Sequence, residues 1–205
     1  MDVEPTDAEL LARWRGGESL AGEQLFTRHF DRIERFFLNK VEPDQVGDLV
    51  QETFVACVEG RERIQQGDRF RGYLLGIANH VLHAFLRRKY NLATEPLDHS
   101  IAGLSRSPSS IVAKHDEQRL LLEGLRSLTV RYQVVLELYY WEELDTNEIA
   151  EALAIPRGTA RTWLRRARIE LEAVLAGMAA HRHGTPTSEL ELDAWASVCR
   201  RELFG

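Results

Sequence analysis

The sequence predicts an all-α protein built from two small helical domains, joined by a flexible linker and followed by a short C-terminal helix. Apolar residues recur at helical spacing through most of the chain. No segment shows the alternation of a β-strand or a hairpin turn signal. Residues 91–113 break the pattern, because they contain five serines, two prolines and one glycine. The expected boundaries are a first domain over 1–90, a linker over 91–113, a second domain over 114–180 and an extension over 181–205.

Capping and breaking residues delimit the predicted helices of the first domain. Thr6 and Glu9 fit a capping box at the start of the first helix. Pro43 is expected to end the second helix, and Asp44 is expected to cap the third. Gly60 closes that third helix in this interpretation.

The second domain contains a predicted helix-turn-helix. Asp145 can cap a short helix, and Glu148 stands at its third position. The segment "AIPRG" then breaks the helix, and the chain resumes as "TARTWLRRARIEL". Within the linker that precedes this domain, one turn of helix is expected near Ile101–Leu104.

On a helical wheel, the second helix of this pair has a packed side and a polar side. The packed side contains Ala160, Leu164, Ala167 and Leu171. The polar side suits the major groove of DNA and carries Thr159, Arg161, Thr162, Arg165 and Arg166. Arg157 stands at the N-terminus of this helix, where backbone N–H groups can also meet a phosphate of the DNA. The alternative is a basic surface helix in a plain bundle. The cap, the break and the wheel together favour DNA binding.

Charge is distributed unevenly along a chain whose formal net charge is -6. Residues 1–62 contain fourteen acidic and seven basic side chains, whereas residues 69–94 contain five basic side chains and no acid. Residues 156–170 add five arginines against one glutamate. Two basic patches on an acidic body indicate two contacts with a polyanion and an acidic face for another partner.

The first basic patch lies on a long apolar segment, Phe70–Leu86, that predicts a mostly buried helix. Its few polar residues are aligned, and with the basic residues that follow they form a candidate stripe of Asn79, His80, His83, Arg87 and Arg88. Aromatic side chains beside such a stripe, here Phe70 and Tyr73, can stack on unpaired bases of single-stranded DNA. Phe70 and Tyr73 can instead belong to the core, and the histidines can be interior groups.

The C-terminal extension contains its own helix signal. Ser188 and Glu191 form a capping box after Pro186. One side of the predicted helix then carries Leu192, Trp195, Ala196, Cys199 and Leu203. This helix could pack back onto the two domains and limit access to a functional face, extend the core of the second domain, or remain disordered.

Several function classes find no support in the sequence. We find no phosphate-binding glycine loop, nucleophile–base signature or set of metal ligands, so neither an enzyme nor a cofactor is expected. The two cysteines match no metal or redox spacing, and His181 with His183 offers too few ligands for a metal. No apolar run of 18 residues and no leader pattern is present, so neither membrane insertion nor secretion is expected.

Three blocks together resemble the bacterial RNA polymerase sigma factors of the extracytoplasmic-function type. "DLVQETFVACVE" (48–59) is similar to the polymerase-binding helix of that family. "FRGYLLGIANHVLHAFLRRK" (70–89) is similar to the segment that melts and reads the −10 promoter element. "LTVRYQVVLELYYWEELDTNEIAEALAIPRGTARTWLRRAR" (128–168) is similar to the domain that reads the −35 element. One block alone would be weak, but the order and spacing of all three are specific.

The resemblance implies a promoter-specificity subunit in the cytoplasm, with core RNA polymerase and promoter DNA as partners. It makes Asp48, Gln51 and Glu52 candidates for docking onto the polymerase. It also admits an anti-sigma protein as a further partner, whose existence the sequence leaves open. The alternative function is a stand-alone helix-turn-helix regulator, which would leave the polymerase-like helix and the −10-like block without a role.

The sequence departs from the family pattern at several positions. Ala154 stands where the family usually has glycine in the bend of the helix-turn-helix, and a positive φ is uncommon for alanine. Ala160 and Trp163 also differ from the usual recognition-helix residues, and His83 replaces a common aspartate. Base-by-base contacts therefore do not transfer from the family to this chain.

Overall fold

The computed structural model describes residues 4–64, 69–91, 98–104 and 116–179. Within these ranges the chain forms nine α-helices and one short 3-10 turn, and it contains no β-strand. An isolated antiparallel bridge between Ser100 and Thr129 is the one strand-like pairing in the same ranges. The all-α class predicted from the sequence is confirmed.

The first domain consists of four helices that surround an apolar core. They are α1 (Asp7–Arg15), α2 (Ser19–Leu38), α3 (Pro43–Gly60) and α4 (Phe70–Tyr90). The Thr6 hydroxyl accepts a hydrogen bond from the backbone N–H of Glu9, and the Glu9 carboxylate accepts one from the backbone N–H of Thr6. The capping box predicted at the start of α1 is therefore confirmed.

The start of α3 differs from the prediction. Pro43 is the first residue of α3, where its missing N–H leaves no hydrogen bond unmade. The preceding residue, Glu42, occupies the cap position, so the expectation that Asp44 caps this helix is wrong. Asp44 lies in the first turn instead, where a negative charge favours the helix dipole.

The second domain contains five helices. They are α5 (Ile101–Leu104), α6 (Asp116–Ser127), α7 (Val130–Tyr140), α8 (Thr146–Ala152) and α9 (Arg157–Ala179). Asp145 caps α8, because its carboxylate accepts hydrogen bonds from the backbone N–H groups of Asn147 and Glu148. The helix-turn-helix is formed by α8 and α9.

Part of the predicted linker is structured. The backbone N–H of Val130 donates to the carbonyl of His99 at 2.8 Å, and Asp98 forms an ion pair with Arg131. Ile101 is buried in the core. Residues 98–104 therefore pack against the second domain, and the turn of helix predicted near Ile101–Leu104 is confirmed as α5.

The turn between α8 and α9 keeps the conformation that usually requires glycine. Ala154 has φ of +52°, in the left-handed region. The backbone N–H of Ile155 donates to the carbonyl of Ala150 at 2.9 Å, and this bond closes the turn after α8. The methyl group of Ala154 is therefore accommodated at the cost of backbone strain, and the path of the turn is preserved.

Replacing Ala154 by glycine is expected to stabilise the protein by about 1 kcal/mol, because glycine adopts a positive φ without steric strain. The measurement is the melting temperature, which should rise by roughly 2–4 °C for a chain of this size. Ala173→Gly is the matched control, since Ala173 is an exposed interior residue of α9 and its replacement should lower the melting temperature. An Ala154→Gly melting temperature at or below the wild-type value would contradict the strain at this turn.

The two domains pack against each other through α4 and α8. A Cβ atom on Gly76 of α4 would collide with the backbone carbonyl of Ala152 of α8, so the two helices approach at backbone distance. Buried residues of both domains form one continuous apolar core. We call this packing of the two domains, with α4 against α8, the closed arrangement. The amino-acid sequence contains no signal for the closed arrangement, because each domain has its own amphipathic helices.

A buried polar junction joins the domains near the end of α2. The Lys40 ammonium forms an ion pair with the Glu137 carboxylate of α7, and both side chains are buried. Gln133 donates to the same carboxylate at 2.9 Å. Arg126 and Gln133 both donate to the backbone carbonyl of Asn39, at 3.2 and 3.3 Å. The junction therefore ties α2 to the second domain by charge as well as by hydrogen bonds.

None of the described helices is long and apolar enough to cross a membrane. The predicted C-terminal helix, with Trp195 and Cys199, lies outside the described residues.

Candidate nucleic-acid interface

The face of α9 that was predicted to read DNA is exposed to solvent, and the opposite face is packed against the protein. The back of the helix is buried at Ala160, Leu164, Ala167 and Leu171. The arginines and threonine at 157, 161, 162, 165 and 166 are exposed, and Thr159 is half-buried. The Thr162 hydroxyl donates to the carbonyl of Gly158 at 2.8 Å, so it keeps acceptor capacity for a ligand. A packed back and an exposed cationic front give the geometry of a helix that enters a groove of DNA.

Two other side chains of α9 face protein. The Arg168 guanidinium lies 4.8 Å from the centre of the Tyr139 ring and is half-buried. The half-buried Trp163 lies beneath the Arg131 guanidinium, 5.7 Å from the ring centre. The basic patch of α9 therefore divides into an exposed face and one arginine, Arg168, that packs inside the domain.

The predicted stripe on α4 is split by the packing of the domains. His80, Arg87 and Arg88 are exposed. Asn79 is buried and His83 is half-buried, in a small cavity that they share with residues of the second domain: Arg131, Val134, Leu153, Ile155 and Trp163. While the two domains are packed together, Asn79 and His83 are covered by the second domain, whereas His80, Arg87 and Arg88 are accessible. The side-chain oxygen of Asn79 is buried without a hydrogen-bond partner among the described residues.

The aromatic residues at the start of α4 have structural contacts. Phe70 is fully buried in the core of the first domain. The Tyr73 hydroxyl donates to the carbonyl of Gly60 at 3.2 Å, which ties α4 to the end of α3. The alternative that Phe70 belongs to the core is confirmed, and Phe70 is not available for base stacking.

A cleft of about 780 Å³ lies where α2 and α4 of the first domain meet α8 of the second. Its walls carry five arginines and two histidines against three carboxylates. The arginines are Arg28, Arg32, Arg63, Arg69 and Arg71. Arg69 and Arg71 belong to a basic patch predicted from the sequence, whereas the other three arginines were not predicted. They come from separate segments, and only the fold brings them together.

Three of these arginines pair with acids of the second domain. Arg69 forms an ion pair with Glu151, and Arg32 forms one with Glu142. The Arg71 guanidinium lies 4.0 Å from the Glu148 carboxylate. Each pair crosses the boundary between the domains, so separation of the domains would leave these three arginines without these partners.

A second polar cluster fixes one wall of the cleft. His29 Nε2 lies 2.6 Å from one carboxylate oxygen of Asp7, and Arg28 donates to the other oxygen at 2.8 Å. Burial alone would raise the pKa of Asp7, but the hydrogen bonds from His29 and Arg28 outweigh it and lower the pKa. Arg28 is therefore engaged within the first domain.

The outer face of α3 carries the residues predicted to dock onto a protein partner. Asp48, Gln51 and Glu52 are exposed, whereas Val46 and Cys57 are buried on the opposite side. A groove of about 340 Å³ separates Asp48 and Glu52 from Arg88 and Lys89 of α4. The acidic face of α3 and the basic end of α4 are therefore neighbouring surfaces. Burial raises the pKa of the Cys57 thiol to about 12, so this thiol stays protonated.

An apolar groove between α2 and α3 was not predicted. Phe26, Phe30, Phe54 and Val58 line it. Phe30 is one of the large apolar side chains of the described residues that are exposed to solvent. The periodicity of the sequence identifies the apolar side of α2. It does not show that part of this side, at Phe30, is left uncovered by the other described residues.

No group of His, Cys, Asp or Glu side chains among the described residues could hold a metal ion.

The family model of sigma-70 region 2 matches residues 25–91, and that of sigma-70, region 4 matches residues 118–171. The chain is 34% identical over 163 residues to the RNA polymerase sigma-E factor of Streptomyces coelicolor, covering 78% of this chain and 88% of that protein. It is 28% identical over 167 residues to the RNA polymerase sigma factor CarQ of Myxococcus xanthus, covering 80% and 95%.

Two solved structures share the fold. CnrH in complex with the cytosolic domain of CnrY matches with a TM-score of 0.61 and 23% identity, covering 83% of this chain and 97% of that chain. The sigma factor RpoE of Bartonella quintana, in complex with the anti-sigma factor NepR, matches with a TM-score of 0.58 and 15% identity, covering 75% and 96%.

Proposed function

This chain belongs to the extracytoplasmic-function group of the sigma-70 family, and from that premise we propose which of its surfaces bind RNA polymerase and promoter DNA. The protein is a promoter-specificity subunit of RNA polymerase. We propose that it has no catalytic activity of its own and works in the cytoplasm, where its polymerase and promoters are. A stand-alone regulator would have no use for the exposed acidic face of α3.

The exposed arginine and threonine face of α9 is the observation that carries the proposal. Its buried back fixes the helix against α7 and α8, so the front can enter the major groove as a rigid unit. We assign the −35 element to this face, with Arg161 and Arg165 as the candidate base readers. Arg157, Thr159, Thr162 and Arg166 would contact bases or the phosphate backbone beside them.

Replacing Arg161 or Arg165 by alanine is expected to cost about 1–3 kcal/mol at one promoter position, if the arginine reads a guanine. Run-off transcription with core polymerase, on promoters that vary one base at a time, measures this loss. Arg168→Ala is the control, because Arg168 packs on Tyr139 and should not change base preference. An equal loss over all promoter variants would identify a phosphate contact, and no loss at either position would exclude this face.

The −10 element is assigned to α4. Arg87, Arg88 and His80 are exposed and could contact DNA in this arrangement. Asn79 and His83 could do so only after the second domain moves away, since Leu153 and Trp163 share their cavity. The unpaired amide oxygen of Asn79 supports this role, because a buried acceptor without a partner would gain a hydrogen bond from a captured base.

We assign polymerase docking to Asp48, Gln51 and Glu52, which share one exposed face of α3. This face leaves the core residues of α3 undisturbed and lies next to the basic end of α4. Docking there would position α4 beside the DNA that the polymerase holds. The stand-alone alternative predicts no binding to core polymerase in a pull-down assay.

An anti-sigma protein is a further partner that we propose. The support is a protein with the same fold, the sigma factor RpoE of Bartonella quintana, whose structure was solved in complex with the anti-sigma factor NepR. Co-purification of this chain from its own cells, followed by identification of the bound proteins, tests this partner.

A further inference from the structure

The cleft between the domains has an uneven distribution of charge. On the first-domain side it contains five arginines and a single carboxylate, Asp7. The remaining two carboxylates, Glu148 and Glu151, both belong to α8 of the second domain. Because Asp7 is already held by Arg28 and His29, the balance of charge in the cleft depends on the second domain.

The acids of the second domain are placed to cover particular arginines. Glu148 and Glu151 are three residues apart on α8, so their side chains lie on the same face of the helix. That face meets Arg71 and Arg69, and Glu142, which precedes α8, meets Arg32. In each pair a carboxylate of one domain occupies the position of an anion against an arginine of the other.

We propose that Arg32, Arg69 and Arg71 form a phosphate-binding surface for single-stranded DNA, and that Glu142, Glu148 and Glu151 occupy this surface in the closed arrangement. The surface is continuous with the α4 stripe, because His80 lines the same cleft. A strand captured by α4 would therefore run its backbone across these arginines. Arginine binds phosphate oxygens with two parallel hydrogen bonds, as it binds carboxylates.

This surface rests on the proposed function and extends it to residues that sequence analysis did not select as site residues. DNA phosphates and the carboxylates of the second domain compete for the same three guanidinium groups. Binding of DNA and packing of the domains therefore exclude each other at this surface. The Arg69–Glu151 and Arg71–Glu148 pairs are largely exposed and therefore individually weak, so Glu148 and Glu151 bias the equilibrium without locking it. Glu142 is buried against Arg32 and makes the more protected contact of the three. A strand with many phosphates can then displace the acids once the domains separate.

The first test uses this chain of 205 residues without polymerase, together with a fluorescein-labelled single-stranded oligonucleotide of mixed sequence. Glu151→Gln removes the acid opposite Arg69 and is expected to tighten binding about two- to fivefold at low salt. Glu170→Gln is the matched control, because Glu170 is an exposed acid of the same domain outside the cleft. If Glu151→Gln binds no more tightly than Glu170→Gln, the proposal is overturned.

The second test asks whether the gain depends on the arginine. Adding Arg69→Gln to Glu151→Gln should abolish the tighter binding and make the slope of log K against log salt shallower by about 0.7. Exchanging the charges, with Arg69→Glu and Glu151→Arg together, should restore the ion pair and leave binding no tighter than wild type. Undiminished binding by the Arg69→Gln, Glu151→Gln chain would contradict a phosphate contact at Arg69.

A third variant opens the cleft without changing any charge. Gly76→Ala places a methyl group against the carbonyl of Ala152 and should separate α4 from α8, while alanine remains a good helix former within α4. This chain should also bind the oligonucleotide more tightly, and Arg69→Gln should remove that gain. A Gly76→Ala chain that opens by small-angle scattering but binds no more tightly would overturn the proposal.

A failure of the proposed phosphate-binding surface can be distinguished from a failure of the proposed function. Run-off transcription by the wild-type chain with core polymerase tests the promoter-specificity role without reference to the cleft. If the chain directs initiation and Glu151→Gln behaves as Glu170→Gln does, the phosphate surface alone is wrong.

Discussion

Replacing Lys40 by methionine is expected to open the closed arrangement of the two domains while each domain keeps its helices. Lys40 is fully buried, and its ammonium group bridges the Phe36 carbonyl, at 2.5 Å, and the Glu137 carboxylate. Methionine fills a similar volume but leaves the carboxylate of Glu137 without its cation. Removing one partner of a buried ion pair typically costs about 3–5 kcal/mol, because the remaining charge is uncompensated.

The two groups are shifted in the directions that burial dictates. Burial lowers the pKa of the Lys40 ammonium, against the attraction of Glu137. Burial likewise raises the pKa of the Glu137 carboxyl, against the attraction of Lys40. Each charge therefore tolerates this environment only because the other is present. When the domains separate, the Lys40 ammonium and the Glu137 carboxylate are both exposed to water. If one of the two charges is removed, separation of the domains therefore costs less free energy than unfolding of either domain.

Small-angle scattering and circular dichroism measure the two responses separately. The Lys40→Met chain should have a larger radius of gyration than wild type and nearly unchanged helical content. The double variant Lys40→Met with Glu137→Leu is the control, because replacing both members of a buried pair by apolar residues is often neutral or stabilising. A compact Lys40→Met chain would show that the pair does not hold the domains together.

Reversing the charges of Asp48 and Glu52 together, by Asp48→Lys and Glu52→Lys, is expected to weaken binding to core polymerase by roughly 100-fold or more. Both side chains are exposed on one face of α3, which leaves the fold independent of them. If they meet cationic groups of the polymerase, reversal creates like-charge contacts, which cost several kcal/mol, and about 3 kcal/mol corresponds to 100-fold.

The measurement is a binding titration with labelled core polymerase, supported by run-off transcription. Glu62→Lys with Glu170→Lys is the control, since it makes the same change in net charge at exposed positions outside α3. The control should bind nearly as wild type does. Equal affinities for the Asp48, Glu52 variant and the wild type, with unchanged circular dichroism, would remove the docking assignment from this face.

Local interactions explain why much of this fold could be predicted. The capping boxes at Thr6 and Asp145 depend only on residues three positions apart, and both are present. The buried side of α9, from Ala160 to Leu171, follows from helical periodicity. The left-handed residue Ala154 shows that the turn is fixed by its surroundings, since its own side chain disfavours that conformation.

The helices, their buried sides, the helix-turn-helix and the candidate binding faces could all be predicted, because each of them depends on neighbours within a few positions of the chain. Which of these faces contact each other depends instead on the packing of distant segments. The pairs Lys40–Glu137, Arg32–Glu142 and Arg69–Glu151 join residues about 80 to 110 positions apart. Nothing in a linear pattern specifies such pairs, since they require packing of two domains that each satisfy their own periodicity. Domain packing therefore decides that Asn79 is covered while Arg161 is exposed.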